Sequence, residues 1–257
     1  MNASIPIPST VQVISFVLIL ARVGAVFFLA PAISGRAIPN RVKAVLAVFV
    51  SLLLVMLLPL PKNLAAAPVG EVAILMVKEV LVGLAIGLAI GAVVSAWALA
   101  GAYLDLSTGF SYGGVVDPQY GNQSAVLQQL YVLLAGVIFV TVGGFDIMMS
   151  TIAGSFHNIP LSGMPPSNDL MQLALDVITG VFVTGVGVIA PSLIALFLTD
   201  LAFGLVARAA PQTQIIALEF PVKITVAIVV IVATLPWMVP LLEKNLLHWS
   251  RLVLGGG

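Results

Sequence analysis

The chain has 257 residues, of which 61% are hydrophobic and 8% charged. An ordinary soluble domain has about 45–50% and about 25%, so a water-soluble enzyme is excluded, and composition alone points to an integral membrane protein. Ten basic and ten acidic residues cancel, which removes the basic face needed for nucleic-acid binding. No cysteine is present, which excludes disulfides, thiolate metal sites and cysteine nucleophiles.

Residues 1–10 contain no Lys or Arg, so the first apolar run reads as retained and not as a cleavable signal. A hydrocarbon core of about 30 Å needs about 20 apolar residues in a helix. Using charges as punctuation, six helical segments follow in order: 11–33 (interrupted only by Arg22), 44–61, 80–104, 118–145 with its helix starting near Ser124, 177–199 and 224–242. Counting loop cations for orientation gives Arg36, Arg41, Lys43 and Arg208 on one side against Lys62, Lys244 and Arg251 on the other. Four against three sets no orientation. Pro191, Pro236 and Pro240 fall inside segments, predicting kinked or broken helical hairpins.

Gly83, Gly87 and Gly91 recur every fourth residue and, continued by Ser95, form a smooth ridge for close helix packing. Packing within the chain is the plainer reading, and packing against another subunit the sharper one. Arg22 sits mid-segment, where a charge needs a protein or aqueous environment. An internal pair with Glu79 or Asp105 and a watery lumen both fit. Lys78 and Glu79 open a long segment and read as an interfacial or inter-subunit pair. Glu219 and Lys223 stand in the favourable i, i+4 order, with Pro221 marking a helix start.

The connection from Asp105 to Ser124 holds four glycines and three aromatics, and its charges are two aspartates. Connections of this length tend to be functional or disordered, and one this apolar and aromatic does not read as disordered. It is either an extracytoplasmic connector with tight turns at Gly113–Gly114 and around Gly121, or a re-entrant loop that plugs a pore. Catalytic constellations are poor. His157, in a polar loop, and His248 have no neighbours at metal-ligand spacing. No nucleophile elbow or phosphate loop exists. No catalytic residue, cofactor or metal site is expected.

A set of residues in fixed order carries a family resemblance: Arg22-Val23, Pro31, Ser34, Arg36, Ile38-Pro39 and Arg41-Val42-Lys43, then Gly109-Phe110-Ser111 and Val116-Asp117-Pro118, then Arg208-Ala209-Ala210-Pro211-Gln212 and Phe220-Pro221. The pattern resembles the FliR family of flagellar export-gate proteins and their type III secretion relatives, over essentially the whole chain. The resemblance implies an all-α polytopic protein, with 1–176 FliP-like and 177–257 a FliQ-like helical hairpin. It implies assembly with FliP-like and FliQ-like subunits into a channel for unfolded secreted proteins, in the bacterial inner membrane at the flagellar basal body. An FlhB-like switch protein and an FlhA-like export component are the further partners. It implies that the 109–122 loop closes the channel, with Gly109, Phe110, Tyr112, Gly113, Gly114, Val115, Val116, Asp117 and Pro118 forming the plug. Arg208, Pro211 and Gln212 would form a turn at the cytoplasmic entrance. Tyr112-Gly113-Gly114 departs from some relatives in added glycine. A small-solute transporter is the alternative, resting on Arg22 and the Pro191 break.

Overall fold

Each apolar run is punctuated by residues that cannot continue a helix, and these fix the elements of the computed structural model. It describes residues 9–29, 39–110, 125–161, 163, 167–209 and 215–254. Among them the α-helices are α1 (Thr10–Leu29), α2 (Asn40–Leu57), α3 (Val69–Thr108), α4 (Val126–Thr141), α5 (Gly144–Asn158), α6 (Ser167–Ala209) and α7 (Ile215–Val253), with a 3-10 turn at Lys62–Ala66. No strand occurs among the described residues. Pro39, Pro61 and Pro68 stand immediately before α2, the 3-10 turn and α3, where the missing N–H costs nothing. Gly109, at φ +89, follows α3, and Gly143, at φ +74, follows α4. This left-handed region ends helices cheaply only at glycine.

Among the described residues five helices are long and apolar enough to span a membrane, and α4 with α5, bent by 71° at their break, supplies a sixth span if the pair counts as one. The all-α polytopic class and the number of segments agree with the sequence. Several boundaries do not. The 118–145 run is not a single helix. It breaks at Val142–Gly143, and a second helix follows to Asn158. His157 is therefore in the last turn of α5 and not in a loop. Met148, Ile152, Ser155 and Phe156 are buried at the 3–4 spacing of a helix face, a signal masked by the polar residues around them. The long helices also overrun their charge punctuation: α3 begins before Lys78 and Glu79, and α7 begins before Pro221.

The prolines do not break their helices. Helix α6 continues through Pro191, and α7 through Pro221, Pro236 and Pro240. A helical proline loses one hydrogen bond, whereas unwinding in an apolar medium strands several backbone groups. Helix wins. The 40 residues of α3 rise about 60 Å along their path, roughly twice a hydrocarbon core.

The chain forms two compact units. The first comprises 1–91, 145–177 and 247–257, and the second 92–144 and 178–246. In the first, α1 buries Ser15, Leu18, Ile19, Arg22, Val23, Val26 and Phe27, an unbroken i, i+3, i+4 stripe. It packs on α2 and the 3-10 turn. It also packs on α3 at the glycine ridge. A Cβ on Gly83 would collide with the Arg22 carbonyl and the Ala25 side chain, and one on Gly87 would lie 2.9 Å from Leu29 Cβ. Gly83 and Gly87 thus serve packing within the chain. Gly91 is buried, but Ser95 is exposed, because each four-residue step turns about 40° around the helix and carries the ridge off its face. In the second unit Gly101 brings α3 onto the backbone of Leu127 and Gln128 in α4, and Gly185 brings α6 to 3.0 Å from the Ala96 carbonyl.

Gly87→Leu is expected to destabilise the first unit by about 1–3 kcal/mol through overpacking, read as a lower thermal midpoint and folded yield in detergent. Gly70→Leu is the control, since a Cβ there meets nothing within 4 Å, and it should leave both unchanged.

Candidate functional site

Burying a charge in an apolar chain is costly unless it is paired and hydrogen-bonded. Arg22, Lys78 and Glu79 are 0%, 4% and 0% exposed. Helix α1 places Arg22 on its buried stripe, and α3 presents Lys78 and Glu79 to it. Arg22 Nε donates to Glu79 Oε2 at 2.5 Å, one terminal nitrogen to Ser155 Oγ at 3.1 Å and the other to the Ile159 carbonyl at 2.9 Å. Its guanidinium carbon lies 4.0 Å over the Phe156 ring. Lys78 Nζ donates to the carbonyls of Pro160 at 3.1 Å, Leu161 at 2.8 Å and Gly163 at 2.8 Å. It also lies 2.7 Å from Glu79 Oε1, an ion-pair contact without hydrogen-bond alignment.

Two cations thus face one carboxylate, and the surplus positive charge is met by carbonyls just past the end of α5. A helix C-terminus carries partial negative charge and unpaired carbonyls. The cluster therefore ties α1, α3 and the turn after α5 together. Arg22 pairs inside the chain with Glu79, the first of the two partners the sequence offered. The Lys78–Glu79 pair, expected at an interface, is enclosed in this chain because the carbonyls of 160–163 close over Lys78.

Asp105, the other offered partner, does something else. It lies inside α3, which runs on to Thr108, and is 2% exposed. Its Oδ1 accepts from Leu127 N and its Oδ2 from Gln128 N, both at 2.9 Å. These are N-terminal amides of α4, which lack partners within their own helix. Residue Ala125 at the cap position supplies no side-chain bond, so Asp105 caps α4 from a neighbouring helix. The Thr108 hydroxyl donates to the Leu104 carbonyl at 2.7 Å. A Cβ on Gly109 would strike the Phe220 ring. Phe110 is the last described residue of this stem. Of the expected plug, Tyr112, Gly113, Gly114, Val115, Val116, Asp117 and Pro118 lie outside the described residues.

At the other predicted turn, Arg208 is exposed in the last turn of α6, where a cation suits the helix dipole. Pro211 and Gln212 lie outside the described residues. Lys223 bonds Glu219 at 2.6 Å, as the spacing implied, and also Asp200 of α6 at 2.7 Å, a partner far away in sequence. His157 lines a cavity of about 390 Å³ with apolar neighbours such as Leu58, Pro59 and Phe156. Among the described residues no three His, Cys, Asp or Glu side chains are grouped to hold a metal. Arg22 is bonded within the chain through each of its three nitrogens, and α6 is unbroken at Pro191.

A family model, bacterial export proteins, family 1, matches residues 13–248. The chain belongs to this export-protein family. The flagellar biosynthetic protein FliR of Escherichia coli (strain K12) is 30% identical over 224 residues, 87% of this chain and 85% of that protein. FliR of Pectobacterium carotovorum subsp. carotovorum is 32% identical over 225 residues, covering 86% and 84%. FliR of Bacillus subtilis (strain 168) is 28% identical over 221 residues, covering 85% of each. The resemblance seen in the sequence is thus a family relationship, and this family member is a polytopic helical membrane component of protein export.

Glu79→Ala strands two buried cations. It should destabilise the chain by about 3–5 kcal/mol, measured as loss of membrane accumulation and of thermal stability. Arg22→Met combined with Glu79→Gln should recover much of that loss. Full additivity of the two substitutions would mean that they do not interact.

Proposed function

We propose that the chain is a core subunit of the flagellar type III protein export gate. With FliP-like and FliQ-like subunits it forms the passage for unfolded secreted proteins in the bacterial inner membrane, at the flagellar basal body. The observation that carries this reading is the family match across 13–248, together with the similarity to proteins named flagellar biosynthetic protein FliR over 84–85% of their length. Residues 1–176 form the FliP-like part and 177–257 the FliQ-like hairpin. The 109–122 segment helps to close the passage, the 208–214 turn meets the FlhB-like switch protein at the cytoplasmic entrance, and an FlhA-like component is a further partner. The chain itself performs no catalysis.

Two physical features support the reading. Helices of 39–43 residues exceed what a bilayer requires, which suits an assembly extending beyond the membrane plane. Large apolar side chains such as Phe49, Met56, Phe182, Phe197 and Leu205 are exposed, as surfaces for lipid or apolar partners must be.

Deleting 112–121 is expected to leave assembly intact and make the membrane leaky to ions and small solutes. Assembled deletion complexes with an intact barrier would remove the closing role. Partner identity is tested by extracting C-terminally tagged chain in mild detergent and determining the mass and composition of the complex. Two further small hydrophobic subunits are expected, and a lone chain or homodimer would overturn the gate reading.

A further inference from the structure

The first unit draws on 1–91 and 145–177, and then on 247–257, a stretch far away in sequence. What seats that stretch is visible at α5. Trp249 and Ser250, in the last turns of α7, are 3% and 7% exposed. Leu254 then meets α5 twice. Its side chain lies over Gly154, where an added Cβ would come 3.0 Å from a Leu254 methyl carbon. Its carbonyl accepts a hydrogen bond from the side-chain amide of Asn158, across 96 residues of sequence. Gly154 and Asn158 are about one helical turn apart, so a single residue seats on one face of α5.

The place of this contact gives it a consequence. Asn158 is the last residue of α5, and helix ends fray unless they are held. The carbonyl that follows it, of Ile159, accepts from Arg22, and those of Pro160, Leu161 and Gly163 accept from Lys78. Arg22 and Lys78 share the one carboxylate of Glu79, so one buried positive charge is left to these carbonyls. Locally they are held by Ile159 N donating to the Ser155 carbonyl and Gly163 N to the Pro160 carbonyl, both at 2.9 Å. Leu254 adds a tether at the base of the same turn.

We propose that the 247–254 segment is a latch on the buried charge cluster: seated on Gly154 and Asn158, it positions the carbonyls after α5 that balance Lys78. Asn158 and Leu254 are positioning residues, acting through Ile159–Gly163. The side chains of the cluster come from α1, α3 and α5, but its charge balance then depends on α7 being in place. The first unit locks only when that much later part of the chain has returned to it.

The test uses the chain in mild detergent, carrying Asn158→Ala or Gly154→Leu, each with Lys78 kept and with Lys78→Met. Hydrogen exchange at Ile159 and Gly163 and the thermal midpoint are measured. With Lys78 kept, exchange at these two amides should rise about fivefold in both variants, as loss of one ordinary hydrogen bond gives, with amides of α4 unchanged. The thermal midpoint should fall. In the Lys78→Met chain Arg22 and Glu79 balance each other, so the same substitutions should lower the midpoint by less than half as much. A merely structural contact would cost the same in both. Lys78→Gln, which also removes the charge, serves if Lys78→Met does not accumulate. Unchanged exchange at Ile159 and Gly163 overturns the latch. Raised exchange with an equal fall in midpoint in both backgrounds overturns the link to Lys78.

Discussion

The bond between Arg22 and Glu79 is the constraint around which the first unit is arranged. Arg22 sits midway along an apolar helix, with no exposed surface. Its guanidinium has five N–H donors in a rigid fork, so its surroundings must supply acceptors in defined places. Glu79 supplies one from α3, and Ser155 and Ile159 supply others from α5 and the turn behind it. Each acceptor fixes an element in position. The Ser155 hydroxyl donates in turn to the Ile152 carbonyl at 2.7 Å, so its lone pairs remain directed at Arg22. Lys78 repeats the device with three carbonyls. A Lys ammonium has three protons, and here three carbonyls accept them.

Helix α3 carries the decisive polar and small residues of both units. In the first it presents Lys78, Glu79, Gly83 and Gly87. In the second it presents Trp97, whose ring lies 6.1 Å from that of Tyr131 on α4, then Gly101 and Asp105. About two thirds of its most apolar stretch is buried, against 17% for α7. A helix so enclosed needs close backbone approach on more than one face, which glycine alone permits, and its charges must find partners within the chain.

The sequence revealed the class, the number of apolar segments and the residues whose burial is informative, because each rests on local composition. Arg22 stood out as a charge within an apolar run, and Glu79 and Asp105 as its candidate partners. Which carboxylate Arg22 would choose was not legible, since the choice depends on where α5 returns. Using charges as helix boundaries failed at Lys78, Glu79 and Lys223 for one reason: a charge ends an apolar helix only if it must reach water, and these reach carbonyls or opposite charges instead. Of the two outcomes expected at Pro191, Pro236 and Pro240, a kink or a break, the break does not occur, because an apolar surrounding makes unwinding dearer than a lost bond. The capping role of Asp105 was hidden by sequence distance. The local signal was an acidic residue on the wrong end of its helix.

Helix α2 states the general rule most plainly. It buries Lys43, Ala47, Ser51 and Leu54 and exposes Val45, Phe49, Leu52, Leu53 and Met56, the reverse of a soluble helix. Where the surroundings are as apolar as the core, burial of apolar area no longer selects a face. Small residues and hydrogen-bonding groups select it instead. The fold is then specified by contacts such as Gly87 on α1, Arg22 on Glu79 and Asp105 on α4, none of which depends on what lies outside. Such a chain can keep one internal structure in lipid and against the apolar surface of another subunit.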